Sequence, residues 1–100
     1  MRYILAPNLR LRPVPELDSC VVLAPGEGGG PRLLRLNAHA WLLLELCRAG
    51  MMATALREAY REAVVPPLDA AAAAESLDQG LALLLRQGLL LEKNPEEAMP

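Results

Sequence analysis

The first third of the chain carries an alternating pattern that favours β-strands. Leu9 to Arg12 alternates apolar and basic residues, Ser19 to Leu23 is rich in β-branched residues, and Arg32 to Leu36 mixes leucine with arginine. Prolines recur between these segments at intervals that no helix tolerates. The pattern predicts three short strands, the last two joined by a glycine-rich loop at 25–31, that form an antiparallel meander.

From Asn37 onward, apolar residues recur at spacings of three and four, which is typical of helices packed on a core. Asn37 is a good N-cap for a first helix over 38–49, a second covers about 52–64, and Asp69 caps a third that ends at Gly88. The predicted core faces comprise Ala40, Leu43, Leu46 and Cys47; Leu56, Ala59, Tyr60 and Ala63; and Leu77, Leu81, Leu84 and Leu85.

The element order predicts an α+β fold in which a three-stranded antiparallel sheet is followed by three helices, an arrangement that is winged-helix-like. One hundred residues suffice for one domain, which we expect over residues 1–92, with a polar, disordered tail at 93–100. Leucine and alanine supply 38 residues and aromatic side chains only three, so the core is expected to be small and aliphatic.

Composition and charge exclude several classes of function. No apolar run approaches the 18 or so residues that a membrane span needs, and the first residues lack a secretion signal, which favours a cytoplasmic protein. The net charge of −2 has the wrong sign for nucleic acid. The charge is uneven, since residues 1–50 carry +2 and residues 51–100 carry −4.

The search for catalytic chemistry finds almost nothing. His39 is the only histidine, and Cys20 and Cys47 lie far apart without a CxxC pair, so neither a metal site nor another cofactor is expected. The glycine-rich loop lacks a P-loop ending, and Pro31 blocks a helix directly after it. No catalytic residue is predicted, and the chain is not expected to be an enzyme.

Binding by a sheet edge is the remaining possibility. The segment from Arg32 to Leu36 is the best candidate for an unpaired edge that accepts another strand, with Leu34 and Leu36 on one face and Leu33 and Arg35 on the other. The alternative is a fully paired or merely solvated strand. Trp41 lies on the polar side of the first helix, where it either covers the sheet or a loop or contacts a partner.

Several segments together resemble PqqD-like proteins. These are the opening Pro7-x-Leu9-x-Leu11, the Val22-Leu23-x-Pro25 strand end, and Leu36-Asn37 followed by Ala40, Leu43 to Cys47 and Gly50. Leu56 with Tyr60 and the closing Leu81-x-x-Leu84-x-x-x-Gly88-Leu89-Leu90 follow in the family's order. Each motif is short, and the resemblance rests on their order over residues 3–91.

The resemblance implies a peptide chaperone that recognises the leader of a ribosomally made precursor peptide and presents it to a modifying enzyme, often a radical SAM protein. In that family the leader adds as a strand beside the third strand and packs on the third helix. Carried over, the peptide-binding residues are Arg32, Leu33, Leu34, Arg35, Leu36, Leu77, Gly80, Leu81 and Leu84.

Two other functions remain open at this point. One is a winged-helix DNA-binding regulator, although the third helix carries Glu75 and Asp78 against a single Arg86. The other is an accessory subunit of a larger enzyme that has no peptide ligand of its own. The same exposed edge could also pair with a second copy and give a homodimer.

Overall fold

A computed structural model describes residues 1–26, 28, 30–64 and 67–93. Six strands and three helices follow one another in these residues. In chain order they are β1 (Arg2–Leu5), β2 (Arg10–Val14), β3 (Ser19–Ala24), β4 (Arg32–Asn37), α1 (Ala38–Leu46), β5 (Met51–Met52), α2 (Ala53–Ala63), α3 (Ala70–Arg86) and β6 (Leu90–Lys93). A short 3₁₀ turn, Pro15–Leu17, connects β2 to β3.

The strands form two antiparallel sheets, in the orders β2-β3-β4 and β5-β1-β6. The α+β class, the three helices and the predicted meander are confirmed, because β2, β3 and β4 are the three strands read from the alternation. The second sheet was not predicted. It pairs Arg2 with both Met52 and Lys93, so the strict order of strands followed by helices is wrong.

Pro13 determines how the β2-β3-β4 sheet is hydrogen-bonded. Pro13 lies opposite Cys20, and proline has no N–H, so these two residues can form only the non-hydrogen-bonded type of antiparallel pair. The neighbouring pair, Arg12 and Val21, is therefore hydrogen-bonded. Successive residues of a strand direct their N–H and C=O groups to opposite sides. Because Val21 bonds to β2, Val22 bonds to Leu34 of β4.

The core is aliphatic, as the composition predicts. It joins the inner face of the β2-β3-β4 sheet to all three helices and includes the only buried aromatic ring, Tyr60, among the described residues. The phenolic oxygen of Tyr60 lies 2.6 Å from the hydroxyl of Ser76, so a hydrogen bond joins α2 to α3. The fully buried side chains include Leu43, Leu44, Cys47, Leu56, Leu84, Leu89 and Leu90.

The helix boundaries agree closely with the capping signals. The side chains of Asn37 and Asp69 accept hydrogen bonds from the backbone N–H groups of Ala40 and Ala72, at 2.8 and 2.7 Å, as expected of N-caps. The first helix ends at Leu46 rather than at residue 49. No helix in the described ranges is long and apolar enough to cross a membrane.

Residue 93, which was predicted to belong to the polar tail, lies in a strand. Lys93 pairs with Arg2 and is the last residue of β6, while residues 94–100 lie outside the described residues. The predicted loop at 25–31 separates β3 from β4, although Glu27 and Gly29 also lie outside the described residues.

Gly80 allows α3 to approach α1 closely. A Cβ atom at this position would overlap the Cδ1 atom of Leu43, a side chain with no exposed surface. The absence of a side chain at Gly80 therefore sets the distance between these two helices.

We expect Gly80→Ala to lower the free energy of unfolding by about 1 kcal/mol. The overlap with Leu43 costs about 1–3 kcal/mol, which exceeds the gain of about 1 kcal/mol from replacing a helical glycine. Urea denaturation measures the difference. Leu43→Ala should cost less in the Gly80→Ala background than in wild type, and equal costs would contradict the overlap.

A second prediction concerns pH. Burial raises the pKa of the Cys47 thiol from 9.0 to about 11. The unfolded chain therefore ionises first, and the folded state loses stability as the pH rises from about 9 to 11. Between pH 8 and 11 the wild type should lose about 2–3 kcal/mol more than Cys47→Ala in urea denaturation. Parallel pH profiles for the two proteins would contradict this prediction.

Candidate peptide-binding groove

Strand β4 is an edge of its sheet in the described structure, since it pairs with β3 on one side only. Its side chains alternate as the sequence predicts. Leu33 and Arg35 are exposed on the outer face, whereas Leu34 is half-buried and Leu36 is buried on the inner face. Strand β4 therefore offers both an unpaired backbone edge and a clear division between its two faces.

The backbone groups that face the open edge follow from the hydrogen-bonding pattern. Because Leu34 and Leu36 direct their N–H and C=O groups toward β3, Leu33 and Arg35 direct theirs away from it. Each of these two residues presents one donor and one acceptor at the edge. An added strand would bond to these groups.

Helix α3 runs beside this edge in the opposite direction. Its end lies near Arg32, and its middle lies near Asn37. We define the groove as the space between β4 and α3, lined on the β4 side by Arg32 and Asn37 and on the α3 side by Ser76, Gln79, Gly80, Leu83 and Gln87.

Arg32 closes one end of the groove. Its Nη2 atom donates to the backbone carbonyl of Gln87 at 2.7 Å, and its Nη1 atom donates to the side-chain oxygen of Gln87 at 3.4 Å. Gln87 is the C-cap of α3, where a cation is favoured by the helix dipole. Arg32 is thus engaged within the chain, whereas Arg35 makes no ion pair within the described ranges.

Two depressions meet at the other end of the groove, and Asn37 and Leu83 line both. The first also contains His39, Ser76 and Gly80, and the second contains Ser19. Their volumes are about 210 and 340 Å³. Sites for small organic ligands are typically about 300–1,000 Å³, so the first depression is smaller than such sites and the second lies at the lower end of the range.

Ser19 leaves an unusual polar group beside this end of β4. The residue is only 3% exposed, and its hydroxyl has no hydrogen-bond partner among the described residues. Buried hydroxyls without a partner are uncommon in folded proteins and call for an explanation. The second depression is lined by Ser19 together with the exposed side chains of Asp18 and Arg35.

The structure does not bring all the sequence-predicted residues to the groove. Arg32, Leu33, Leu34, Arg35 and Gly80 lie at the edge or in the groove, but Leu36, Leu77, Leu81 and Leu84 are at most 9% exposed and belong to the core. The reason is helical geometry: on α3 these three leucines face the other helices and the sheets, so they cannot line a surface.

The residues of α3 that do line the groove are Ser76, Gln79, Gly80 and Leu83, together with Gln87 beyond the last turn. Apart from Gly80, these were missed because none lies on the apolar stripe. The sequence does contain a signal: Leu83 is the large aliphatic residue of α3 that the core stripe leaves outside, and it remains half-buried.

Other residues that the sequence marked as candidates for function have structural roles. Trp41 packs partly against the core and donates its indole N–H to Glu45 at 3.2 Å, and Glu45 also pairs with Arg48 at 2.8 Å. Cys20 and Cys47 are free and buried, and burial raises the pKa of both thiols. Within the described ranges, no three His, Cys, Asp or Glu residues come together as a metal site would require.

Comparison with protein-family models, with curated proteins and with solved structures finds no match to this chain, so the argument for function rests on the groove itself.

Proposed function

We propose that this chain is a non-catalytic peptide chaperone of the PqqD-like type. It binds the leader segment of a ribosomally made precursor peptide by strand addition to β4 and presents it to a modifying enzyme, of which a radical SAM protein is the expected class. The proposal places this activity in the cytoplasm and requires no cofactor.

The open edge of β4 beside α3 is the observation that carries the proposal. Leu33 and Arg35 direct their backbone donors and acceptors into the space where an added strand would lie. Main-chain bonds of this kind supply affinity without demanding a particular sequence. Specificity then comes from alternate side chains of the leader, which reach the groove.

The groove offers distinct environments to these side chains. An aliphatic side chain would pack on Leu83 between the two depressions. A leader carboxylate would meet Arg35, whose guanidinium is exposed, and the hydroxyl of Ser19 lies in the same depression. Arg32 contributes less to leader charge recognition than the sequence suggests, because it already bonds to Gln87.

The exposed surface of α3 argues against the DNA-binding alternative. Glu75, Asp78 and Gln79 are exposed, with Arg86 as the only exposed cation of this helix. A recognition helix needs cations that neutralise phosphates, which this helix lacks. The accessory-subunit alternative makes a different prediction, since such a subunit would bind its enzyme but no leader.

Leu33→Pro tests strand addition directly. It removes the N–H group that faces the open edge, and because the Leu33 side chain is 71% exposed, little packing is lost. Binding of the leader from the precursor encoded beside this chain should weaken by about tenfold or more, measured by isothermal titration calorimetry. Leu33→Ala removes the same side chain but keeps the N–H group, and should bind within about threefold of wild type.

Leu34→Pro provides the folding control for this experiment. Its N–H group bonds to β3, so the substitution should destabilise the fold by about 3 kcal/mol or more, whereas Leu33→Pro should remain folded in thermal denaturation. Equal leader affinity for wild type and a folded Leu33→Pro protein would overturn strand addition. A leader that binds neither protein would favour the accessory subunit.

Leu83→Asp tests the α3 side of the groove. A carboxylate at this position would meet the aliphatic and acidic side chains of the leader, and affinity should fall by about tenfold. Leu91→Asp is the matched control, because Leu91 is exposed on β6, outside the groove. Equal losses in fluorescence anisotropy titrations of the two variants would show that Leu83 does not contact the leader.

A further inference from the structure

The outer face of the β2-β3-β4 sheet is a second surface whose residues the groove does not explain. Strand pairing places side chains on this face in three rows that each cross the three strands. The row of Val14, Ser19 and Asn37 lies at the end of the sheet, and the other two rows carry the arginines. One of these two is Arg10, Leu23 and Leu33, and the other is Arg12, Val21 and Arg35. We call these six residues the outer face. Five of the six line or flank a shallow depression of about 530 Å³, which also includes Leu11.

The outer face is positively charged although the chain is acidic overall. Arg10, Arg12 and Arg35 are exposed, and no acidic residue occupies β2, β3 or β4. The only ion pair in the described structure joins Glu45 and Arg48, which belong to and follow α1. Three guanidinium groups therefore lie on one face without a carboxylate partner among the described residues.

The same face is also apolar. Leu33 has the largest exposed fraction of any large hydrophobic residue described, 71%, while Val21 and Leu23 are half-buried between the arginines. An aliphatic strip with a charged border is typical of a protein interface and uncommon on surfaces that face only water.

We propose that the outer face docks an acidic segment of a partner protein, one that presents carboxylates on both sides of aliphatic side chains. Arg12 and Arg35 lie on opposite sides of Val21, two strands apart, which corresponds to about 10 Å. A segment that lays an aliphatic side chain on Val21 and Leu23 would bring flanking carboxylates to both arginines. Arginine suits this role because its planar donors bind carboxylates in pairs.

Charge and shape favour an acidic polypeptide over nucleic acid or a membrane. Arg35 is separated from Arg10 and Arg12 by aliphatic side chains, which a phosphate backbone cannot use, and the chain carries a net charge of −2. A membrane surface favours several protruding bulky side chains, yet Leu33 is the only one that stands out from this face. The proposal does not depend on leader binding, because its aliphatic contacts are Val21 and Leu23 and two of its three arginines lie on β2; only Arg35 is shared with the groove.

The test uses a synthetic 14-residue peptide in which pairs of glutamate and leucine alternate, together with a version in which every glutamate is glutamine. Fluorescence anisotropy at low salt measures binding. The acidic peptide should bind wild type, and Arg10→Glu/Arg12→Glu should weaken this binding by about tenfold. Nuclear magnetic resonance shifts on binding should concentrate at Val21 and Leu23.

Arg57→Glu/Arg61→Glu is the matched control, since it changes the net charge equally at two exposed residues of α2. It should bind the acidic peptide within about twofold of wild type. Thermal denaturation checks that both variants fold, and Arg10→Gln/Arg12→Gln serves as a milder substitute if the first does not.

Three outcomes would overturn the proposal: equal losses for the two double variants, equal binding of the glutamine peptide, or tighter binding to phosphatidylglycerol vesicles than to the acidic peptide. Both altered arginines lie on β2, at the sheet edge opposite β4. The leader titration with these variants therefore reports on the groove separately, and either proposal can fail without the other.

Discussion

The missing N–H group of Pro13 is the constraint on which the rest of this structure depends. It permits only a non-hydrogen-bonded pair with Cys20, and that pair determines which residues of β2, β3 and β4 bond to one another. A shift of β2 by one residue against β3 would turn Leu11 away from the core. The same shift would require an N–H group that Pro13 does not have.

Two alternating patterns run along β4, one of side chains and one of backbone hydrogen-bonding groups. Side chains alternate between the core and the outer face, while backbone groups alternate between β3 and the open edge. Leu33 and Arg35 direct their side chains to the outer face and their backbone groups to the open edge. A strand added at the edge would therefore place half of its own side chains beside these two residues and extend each row of the outer face by one residue. The groove and the outer face are separate surfaces that share one strand.

The sequence predicted most of the local structure because the signals lie within a few residues. Asn37 and Asp69 cap the helices they were expected to cap, and the alternation in β4 predicts its faces correctly. The second sheet was missed because its strands are short and far apart in the chain. Met51 and Met52 alone have no periodicity, and they become a strand only where β1 lies beside them.

The sequence identifies the residues on the β4 side of the groove more readily than those on the α3 side. The β4 side depends on alternation along one strand, which the sequence displays. The α3 side depends on which face of a helix the neighbouring helices cover, and the strongest apolar stripe identifies the covered face. The stripe correctly placed Leu77, Leu81 and Leu84 in the core, and only the resemblance assigned them to the groove. Leu83 remained outside the stripe, and it lines the groove.

By itself, the sequence determined the α+β class, the presence of three helices and the strands of the first sheet. These features follow from composition and from periodicities within single elements. Only the tertiary structure decided that β4 is an edge beside α3, that Arg32 bonds to Gln87 and that three arginines share one sheet face. Each of these depends on contacts between residues distant in the chain, whose pairing is set by packing and by the register that Pro13 imposes.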